Sequence, residues 1–262
     1  MPNATRMFLL ILMTTWLSGS ILAQEKNLEG VQMLEHAIAA SGGRQAWAGV
    51  MDFRAFGTFT VYSVGQVTDT GDAVLIGSGL KRFRLTATLQ HEIRTWIWRD
   101  GAGILSNNKG MGGAIGRHNM GALEGITLPI QRVISLLDAP ARSVRLVESG
   151  PSDPQGVDRV RLIKTASDRT EALSLGHTSV STDILVNRQT FEIVAIEDTI
   201  YANDSTRDSF AHRVTYGDYR LLSGVQIPFS IQEEISGQTT WKLQIRSFEA
   251  NPGIAASEFA LN

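Results

Sequence analysis

Through most of the chain, apolar and polar residues alternate with a period of two, beginning near Met51. The clearest case is the stretch 83–89, in which Phe, Leu and Ala alternate with Arg and Thr. Such alternation is typical of a β-strand with one buried and one solvated face. The same period predicts further strands over residues 53–62, 93–99, 104–105, 144–148, 159–164, 180–186, 191–197, 211–221, 225–235 and 239–248. Short turn sequences between them, such as Asp100-Gly101 and Ser223-Gly224, predict successive hairpins.

Two segments instead carry the spacing of amphipathic helices. In the first, apolar residues recur from position 28 to 38, Asn27 is a candidate N-cap, and a short helical turn follows to about residue 48. The second spans about 127–138 and ends before Pro140. The sequence therefore predicts a mainly antiparallel β fold with a minor α part: a strongly curved, incomplete β-barrel of about ten strands, covered by two helical segments.

The first residues have the pattern of an export signal. Arg6 precedes an apolar stretch of about a dozen residues, and Ala23 offers a cleavage site for a signal peptidase. We expect residues 1–23 to be a signal peptide and residues 24–262 to form a single domain. A retained membrane anchor is the alternative, although a spanning helix needs roughly 20 apolar residues. After cleavage we expect no membrane-spanning segment.

The charge and cysteine counts exclude several classes of partner and site. There are 24 basic and 26 acidic residues, for a net charge of −2, so no overall field attracts nucleic acid or an anionic membrane. The absence of cysteine removes disulfides, thiolate metal sites and cysteine nucleophiles. It also removes the residue to which a lipoprotein anchor is attached. Binding energy must then come from shape and apolar contact.

No stretch of the chain has the pattern of a catalytic or cofactor site. The glycine-rich segment 110–116 misses the register of a dinucleotide-binding motif, and we interpret residues 106–126 as a mobile loop. Gly77-Ser78-Gly79 lacks the surroundings of a nucleophile elbow and indicates a bulge or turn in an edge strand. The five histidines show no local metal-binding spacing, which leaves open only a site assembled from distant segments. We therefore expect no enzymatic activity, no cofactor and no metal site.

The remaining chemical signal is an excess of aromatic residues on the predicted strands. A curved sheet with two helices to cover it has more apolar inner surface than those helices can fill, which favours a ligand cavity. Core packing is the alternative for any single aromatic residue. The candidate ligand-binding residues, each on a regular strand opposite branched or charged positions, are Phe56, Tyr62, Trp96, Trp98 and Trp241. The sequence does not indicate which face of the sheet is concave.

Three short stretches carry a family resemblance: AASGG at 39–43 before a strand, NRQTFEIV at 187–194, and YGDYRLLSGVQIPF at 216–229. Together with the order of helix, strands, amphipathic helix and hairpins, they resemble the LolA/LolB-like outer-membrane lipoprotein-sorting superfamily. The resemblance implies a periplasmic half-barrel over residues 24–262 that holds acyl chains or another apolar ligand. Because no cysteine is present for lipid attachment, it implies a soluble carrier rather than an anchored acceptor.

The leading functional hypothesis is a periplasmic carrier or receptor for an apolar small molecule, such as a lipid, or for the acyl chain of a lipoprotein. The main alternative is an envelope-sensing regulatory module of the same fold, which would act on a protein partner. An enzyme is the third and least favoured. A large exposed apolar patch away from the cavity would favour the regulator, whereas three converging polar groups with hydrogen-bond geometry would favour the enzyme.

Overall fold

A computed structural model describes residues 28–115, 119, 127–138, 142–147, 156–165, 179–202 and 207–261. Helix α1 covers residues 28–40, α2 covers Gly43–Ala48, α3 covers Pro129–Asp138, and a 3₁₀ helix spans Ala256–Phe259. None of the helices in this part of the chain combines the length and apolar character that a membrane crossing requires. The expected signal peptide at 1–23 lies outside the described residues.

Thirteen β-strands form one antiparallel sheet in the described residues. They are β1 (Asp52–Ser63), β2 (Gln66–Ser78), β3 (Arg82–Leu89), β4 (Ile93–Arg99), β5 (Ala102–Asn107), β6 (Gly112–Ala114), β7 (Arg142–Val147), β8 (Val157–Thr165), β9 (Ser179–Asn187), β10 (Ile193–Tyr201), β11 (Ser209–Leu222), β12 (Val225–Ile235) and β13 (Gln238–Ala250). The spatial order is β6-β5-β4-β3-β2-β1-β13-β12-β11-β10-β9-β8-β7, so the sheet is open, with β6 and β7 at its edges. The prediction of a mainly antiparallel, incomplete barrel with helices is confirmed.

The sheet consists of two meanders that meet at one seam. Strands β1 to β6 run outward in one direction and β13 to β7 in the other. The seam is the pairing of β1 with β13, which extends from Phe53 opposite Ala250 to Val61 opposite Trp241. Residues nearly 200 positions apart in sequence are therefore neighbours at the centre of the sheet.

The inner face of the sheet is the face that the helices cover. On β1, the odd-numbered positions from 53 to 59 are buried and the even-numbered positions are half-buried. Buried residues of α1 and α3, among them Leu34 and Val133, belong to the same apolar cluster as these strand residues. Burial of this shared surface is the main term that stabilises the fold. Two positions of the predicted α1 stripe, Leu28 and Val31, are exposed instead.

Two strands were not predicted. The first half of β2 is polar apart from Val67 and is exposed or half-buried, so it lacks the alternation that indicates a strand. Strand β2 pairs with both β1 and β3, so the prediction that Gly77-Ser78-Gly79 lies in an edge strand is wrong. A Cβ on Gly77 would lie 2.2 Å from the Phe53 ring, which explains the glycine. Strand β6 lies within the segment interpreted as a mobile loop, and that interpretation is wrong for Gly112–Ala114.

The C-terminal 3₁₀ helix covers part of the outer face. Phe259 is fully buried, and the Arg84 guanidinium lies 3.2 Å from the Glu258 carboxylate on that face of β3. This cover explains why Ile97, whose side chain points away from the inner face, is still buried.

Candidate functional site

A cavity of about 910 Å³ lies on the inner face, at the end of the sheet that carries the β1–β2 and β12–β13 hairpins. We call this end the cavity end. Its described lining consists of Val61, Tyr62, Ser63, Thr68, Arg94, Trp96, Leu105, Gly112, Gly113, Ala114, Ile115, Asn119, Ile200, Tyr201, His212, Glu233, Ile235, Thr240 and Trp241. The volume lies within the range of small-molecule sites, about 300–1,000 Å³.

Aromatic residues on both sides of the seam form one part of the lining. The ring of Phe59 lies 5.4 Å from that of Trp96 and 5.3 Å from that of Trp241, measured between ring centroids. Both tryptophans are largely buried, and both also line the cavity. Rings in mutual contact lose little freedom when a ligand packs against them, so this surface suits an apolar chain.

The structure brings together three of the five predicted ligand-binding residues. Trp96, Trp241 and Tyr62 line the cavity. Trp98 shares the inner face but packs on Phe83, with ring centroids 5.9 Å apart, and does not line the cavity. Phe56 lies on the opposite face of β1 from the buried odd-numbered positions. Ligand binding by these residues stays a prediction.

The opposite part of the lining comes from β6 and is made of small residues. Gly113 pairs with Leu105 on β5, and Leu105 pairs with Trp96 on β4, so all three positions share the inner face. Among the described residues, no atom lies within 4 Å of a Cβ added to Gly113. Gly113 is exposed and lines the cavity, so the space beside it is open with respect to the described part of the chain.

Arg94 places a guanidinium on the lining, two residues before Trp96 and on the same face. Its Nε donates to Glu92 Oε1, and the Asn107 amide donates to Glu92 Oε2 at 2.8 Å. The hydrogen bond from Arg94 is the main reason that the pKa of Glu92 lies below its usual value. Glu92 therefore stays ionised at neutral pH and fixes the arginine through Nε.

A buried polar network lies at the other side of the cavity. His212 Nε2 lies 3.1 Å from Glu233 Oε1, and Thr240 donates its hydroxyl to Glu233 Oε2. Because a carboxylate accepts only, His212 must carry its proton on Nε2. His212 Nδ1 is buried, lies 4.0 Å from Asp198 Oδ2 and has no hydrogen-bond partner among the described residues.

The network continues from Asp198 to helix α3. Arg132 Nη2 donates to both oxygens of Asp198, at 3.0 and 2.9 Å, and Thr182 donates to Oδ1 at 2.8 Å. The side chains of Arg132 and Asp198 are only 1% and 4% exposed, so this ion pair lies fully inside the fold. Tyr216 lies near the pair, and burial raises the pKa of its phenol above the usual value, so it stays neutral. The ion pair thus joins α3 to β10, and Asp198 lies 4.0 Å from the lining residue His212.

The side chains of Asp198, His212 and Glu233 converge. Three converging polar groups would favour an enzyme, but the geometry of these three suits a structural network. The His212 Nε2 proton is committed to Glu233. The hydroxyls of Thr182 and Thr240 donate to carboxylates, so within the described chain neither is positioned to give its proton to the histidine. No group of three His, Asp or Glu residues in the described segments has the arrangement of a metal site.

Exposed apolar side chains flank the cavity. Val67 and Met111 are exposed, and each directly adjoins in sequence a residue of the lining, whereas the exposed Ile93 pairs with Thr88 on the outer face. Val64 follows Ser63 of the lining and is 81% exposed, and the exposed Phe210 pairs with the lining residue Ile200. Away from the cavity end, Met51 and Leu80 are exposed at the opposite end of β1 and β2.

Sequence reasoning missed the polar part of the lining. Arg94 carried a usable signal, because it precedes Trp96 by two on a predicted strand and so shares its face. Glu233 and His212 carried none, because both are isolated in sequence and meet only through the pairing of β11 with β12. Asn119, whose side chain bonds the backbone of Tyr201 in both directions at 2.8 Å, fell in the segment interpreted as a loop.

Comparison with known proteins gives a likeness in structure only. No protein-family model matches the sequence, and no curated protein matches it. A domain named for outer-membrane lipoprotein sorting from Vibrio parahaemolyticus superposes with a TM-score of 0.53 and 11% identity, over 89% of this chain and 97% of that one. A LolA superfamily protein from Nitrosomonas europaea gives 0.53 and 11%, over 87% and 96%. The chain therefore shares the fold of these two proteins.

Proposed function

We propose that the protein is a periplasmic carrier that binds an amphiphile, a lipid or a lipoprotein acyl chain, in the cavity of its half-barrel. The observation that carries the proposal is the cavity of about 910 Å³ on the inner face, where Trp96, Trp241 and Val61 offer apolar contact. Contact with these side chains removes apolar surface from water, which contributes roughly 25 cal/mol per Å².

Two further observations support the proposal. The exposed apolar residues Val64, Val67 and Met111 stand beside the lining, where an apolar ligand would pass on entry. The similar structure from Vibrio parahaemolyticus is named for lipoprotein sorting. The location follows from the export pattern at residues 1–23, and we propose residues 24–262 as the mature single domain without enzymatic activity.

The proposal is tested by filling the cavity from its open side. Gly113→Phe puts a ring at an exposed glycine of the lining, where an added Cβ meets no described atom within 4 Å, so it should displace ligand while the sheet stays folded. We expect uptake of a dansyl-labelled undecanoic acid, followed by fluorescence, to weaken about 10-fold or more, because an apolar chain then loses several CH₂ contacts of roughly 0.8 kcal/mol each.

Gly217→Phe is the matched control. Gly217 also lies inside a strand, its added Cβ would meet no described atom within 4 Å, and it is not among the residues that line the cavity. Its probe affinity should equal that of the unchanged protein. The proposal fails if the unchanged protein takes up no probe and carries no lipid in native mass spectrometry, or if Gly113→Phe binds as well as the control.

The regulatory alternative keeps one observation in its favour. Met51 and Leu80 are exposed together at the end opposite the cavity, where the Gly79 N–H donates to the Met51 carbonyl at 2.8 Å. Two side chains are a small surface compared with the patches of several hundred Å² that typically mark a partner site. The carrier is therefore the better-supported function.

A further inference from the structure

The hydrogen-bonding groups on the cavity lining differ in how far the protein itself satisfies them. Glu233, the carboxylate of the lining, accepts from His212 on one oxygen and from Thr240 on the other. The carboxylate Glu92, which lies beside the lining, accepts from Arg94 and Asn107. Each of the four carboxylate oxygens thus already has a protein donor.

The donors of Arg94 are satisfied only in part. Glu92 occupies Nε, and among the described residues no acceptor is bonded to either terminal nitrogen, Nη1 or Nη2. These two nitrogens form the end-on fork of the guanidinium, which matches the two oxygens of a carboxylate or phosphate. The side chain is 36% exposed and lines the cavity, so the fork is accessible to a ligand.

The fork stands next to the apolar part of the lining. Arg94 and Trp96 are two residues apart on one face of β4, and the ring of Trp96 packs against that of Phe59 on β1. A ligand with its head at Arg94 can therefore place its chain on the rings of Trp96 and Trp241.

We propose that the ligand of this cavity is an amphiphile with an oxyanion head, carboxylate or phosphate, which the terminal nitrogens of Arg94 bind while its apolar chain lies on Trp96 and Trp241. This rests on the proposed carrier function and specifies the ligand class. Glu92 acts as the positioning residue, because it holds the guanidinium through Nε and leaves the fork to the ligand.

The test compares dansyl-labelled undecanoic acid with its methyl ester, near neutral pH. The unchanged protein should bind the acid about 10-fold or more tighter than the ester, since hydrogen bonds to charged groups contribute roughly 1.5–3 kcal/mol. Arg94→Gln should weaken the acid and leave the ester unchanged, so that the ratio approaches one. Arg94→Lys keeps the charge without the fork and should fall between.

Arg246→Gln is the matched control, because Arg246 is 58% exposed, bonds Asp72 at 2.7 Å and does not line the cavity. Dodecyl phosphate should compete with the acid, whereas inorganic phosphate alone should not. Competition by inorganic phosphate at equal concentration would indicate a small-anion site and overturn the inference.

Three other results separate this inference from the carrier function. Equal binding of acid and ester by the unchanged protein refutes the oxyanion head and leaves the carrier standing. If Arg94→Gln weakens binding of the acid and of the ester equally, recognition of the oxyanion head by Arg94 is refuted too. Failure to bind either probe, together with the absence of bound lipid in native mass spectrometry, refutes the carrier itself. The acid-to-ester ratio of the unchanged protein needs no variant, so it decides even if Arg94→Gln does not fold.

Discussion

At the residue scale, the pair Glu92–Arg94 shows how one contact serves both stability and the site. Glu92 directly precedes β4 and lies two residues before Arg94, so the two side chains meet at the start of the strand, and Asn107 of β5 donates to the second carboxylate oxygen of Glu92. The hydrogen bond from Arg94 lowers the pKa of Glu92 from its usual 4.5. A lowered pKa in the folded state means that the ionised carboxylate stabilises the fold.

The pH dependence of this contribution follows from its sign. It is fully present above the unfolded pKa of Glu92 and is lost as the pH falls through the lower folded pKa. We expect Glu92→Gln to be less stable than the unchanged protein at about pH 7, with the gap shrinking as the pH falls below about 4.5. Urea unfolding at several pH values measures the gap. A gap that stays constant with pH would show that the charge of Glu92 is not involved.

The candidate residues show which part of a site a sequence can reveal. Alternation along β4 places Trp96 and Trp98 on one face, and in the structure both lie on the inner face, paired with Leu85 and Phe83. Alternation does not fix how far along a strand the helices reach, and so it did not distinguish Trp96 at the cavity from Trp98 on Phe83. Phe56 was selected as a candidate although it lies three residues after Phe53 on the same strand. By alternation, the side chains of these two residues point to opposite faces.

At the element scale, helix α3 is held by two ion pairs of different depth. Arg132 to Asp198 is buried, whereas Asp138 at the helix end accepts from Arg44 at 3.0 Å on the surface. Removal of one partner of a buried pair leaves an uncompensated charge, which costs about 3–5 kcal/mol, and an exposed pair contributes less than about 1 kcal/mol.

We therefore expect Arg132→Met to lower the free energy of unfolding by about 3–5 kcal/mol and Arg44→Met by less than about 1 kcal/mol. Asp198→Asn combined with Arg132→Met should recover part of the loss, because the orphaned charge is gone. Denaturant titration of the three variants checks this. Equal losses of unfolding free energy for Arg132→Met and Arg44→Met would show that burial does not increase the cost of breaking the Arg132–Asp198 pair.

The same elements show where pattern reasoning stops. Helix α3 was predicted because its apolar stripe records the burial of one face. The inward position of Arg132 was not predicted, because an arginine in a helix normally lies on the solvent-exposed face. Its burial depends on the ion pair with Asp198, which lies on a strand distant in sequence. Strand β2 was missed because its first half pairs through the backbone, while its mostly polar side chains show no alternation of buried and exposed positions.

At the scale of the whole molecule, the seam between β1 and β13 determines whether the two meanders form one sheet. One end of the seam lies at the cavity, where the ring of Phe59 on β1 stacks on that of Trp241 on β13. Local periodicity gave the strands and hairpins within each meander. It could not give the seam, because the pairing of distant segments leaves no short-range signal in the sequence.

Gly57 tests the seam directly. A register shift occurs between Phe56 and Gly57, and a Cβ on Gly57 would lie 2.5 Å from the Gln244 carbonyl oxygen. That contact is with backbone and cannot be relieved by a side-chain rotation, so Gly57→Ala must displace the two strands at the centre of the sheet. We expect a loss of about 1–3 kcal/mol in the free energy of unfolding and weaker probe binding, because Val61 and Trp241 on the two strands line the cavity.

Gly217→Ala separates this effect from strand propensity. Its new Cβ meets no atom of the described residues within 4 Å, and alanine in a strand costs less conformational entropy than glycine. It should therefore be neutral or stabilise by up to about 1 kcal/mol, with unchanged probe affinity. Thermal unfolding and probe titration of both variants provide the measurement. If Gly57→Ala matched Gly217→Ala in both thermal stability and probe affinity, the close approach of the two strands at the seam would not be required. The cavity would then owe its shape to the helices rather than to the joined meanders.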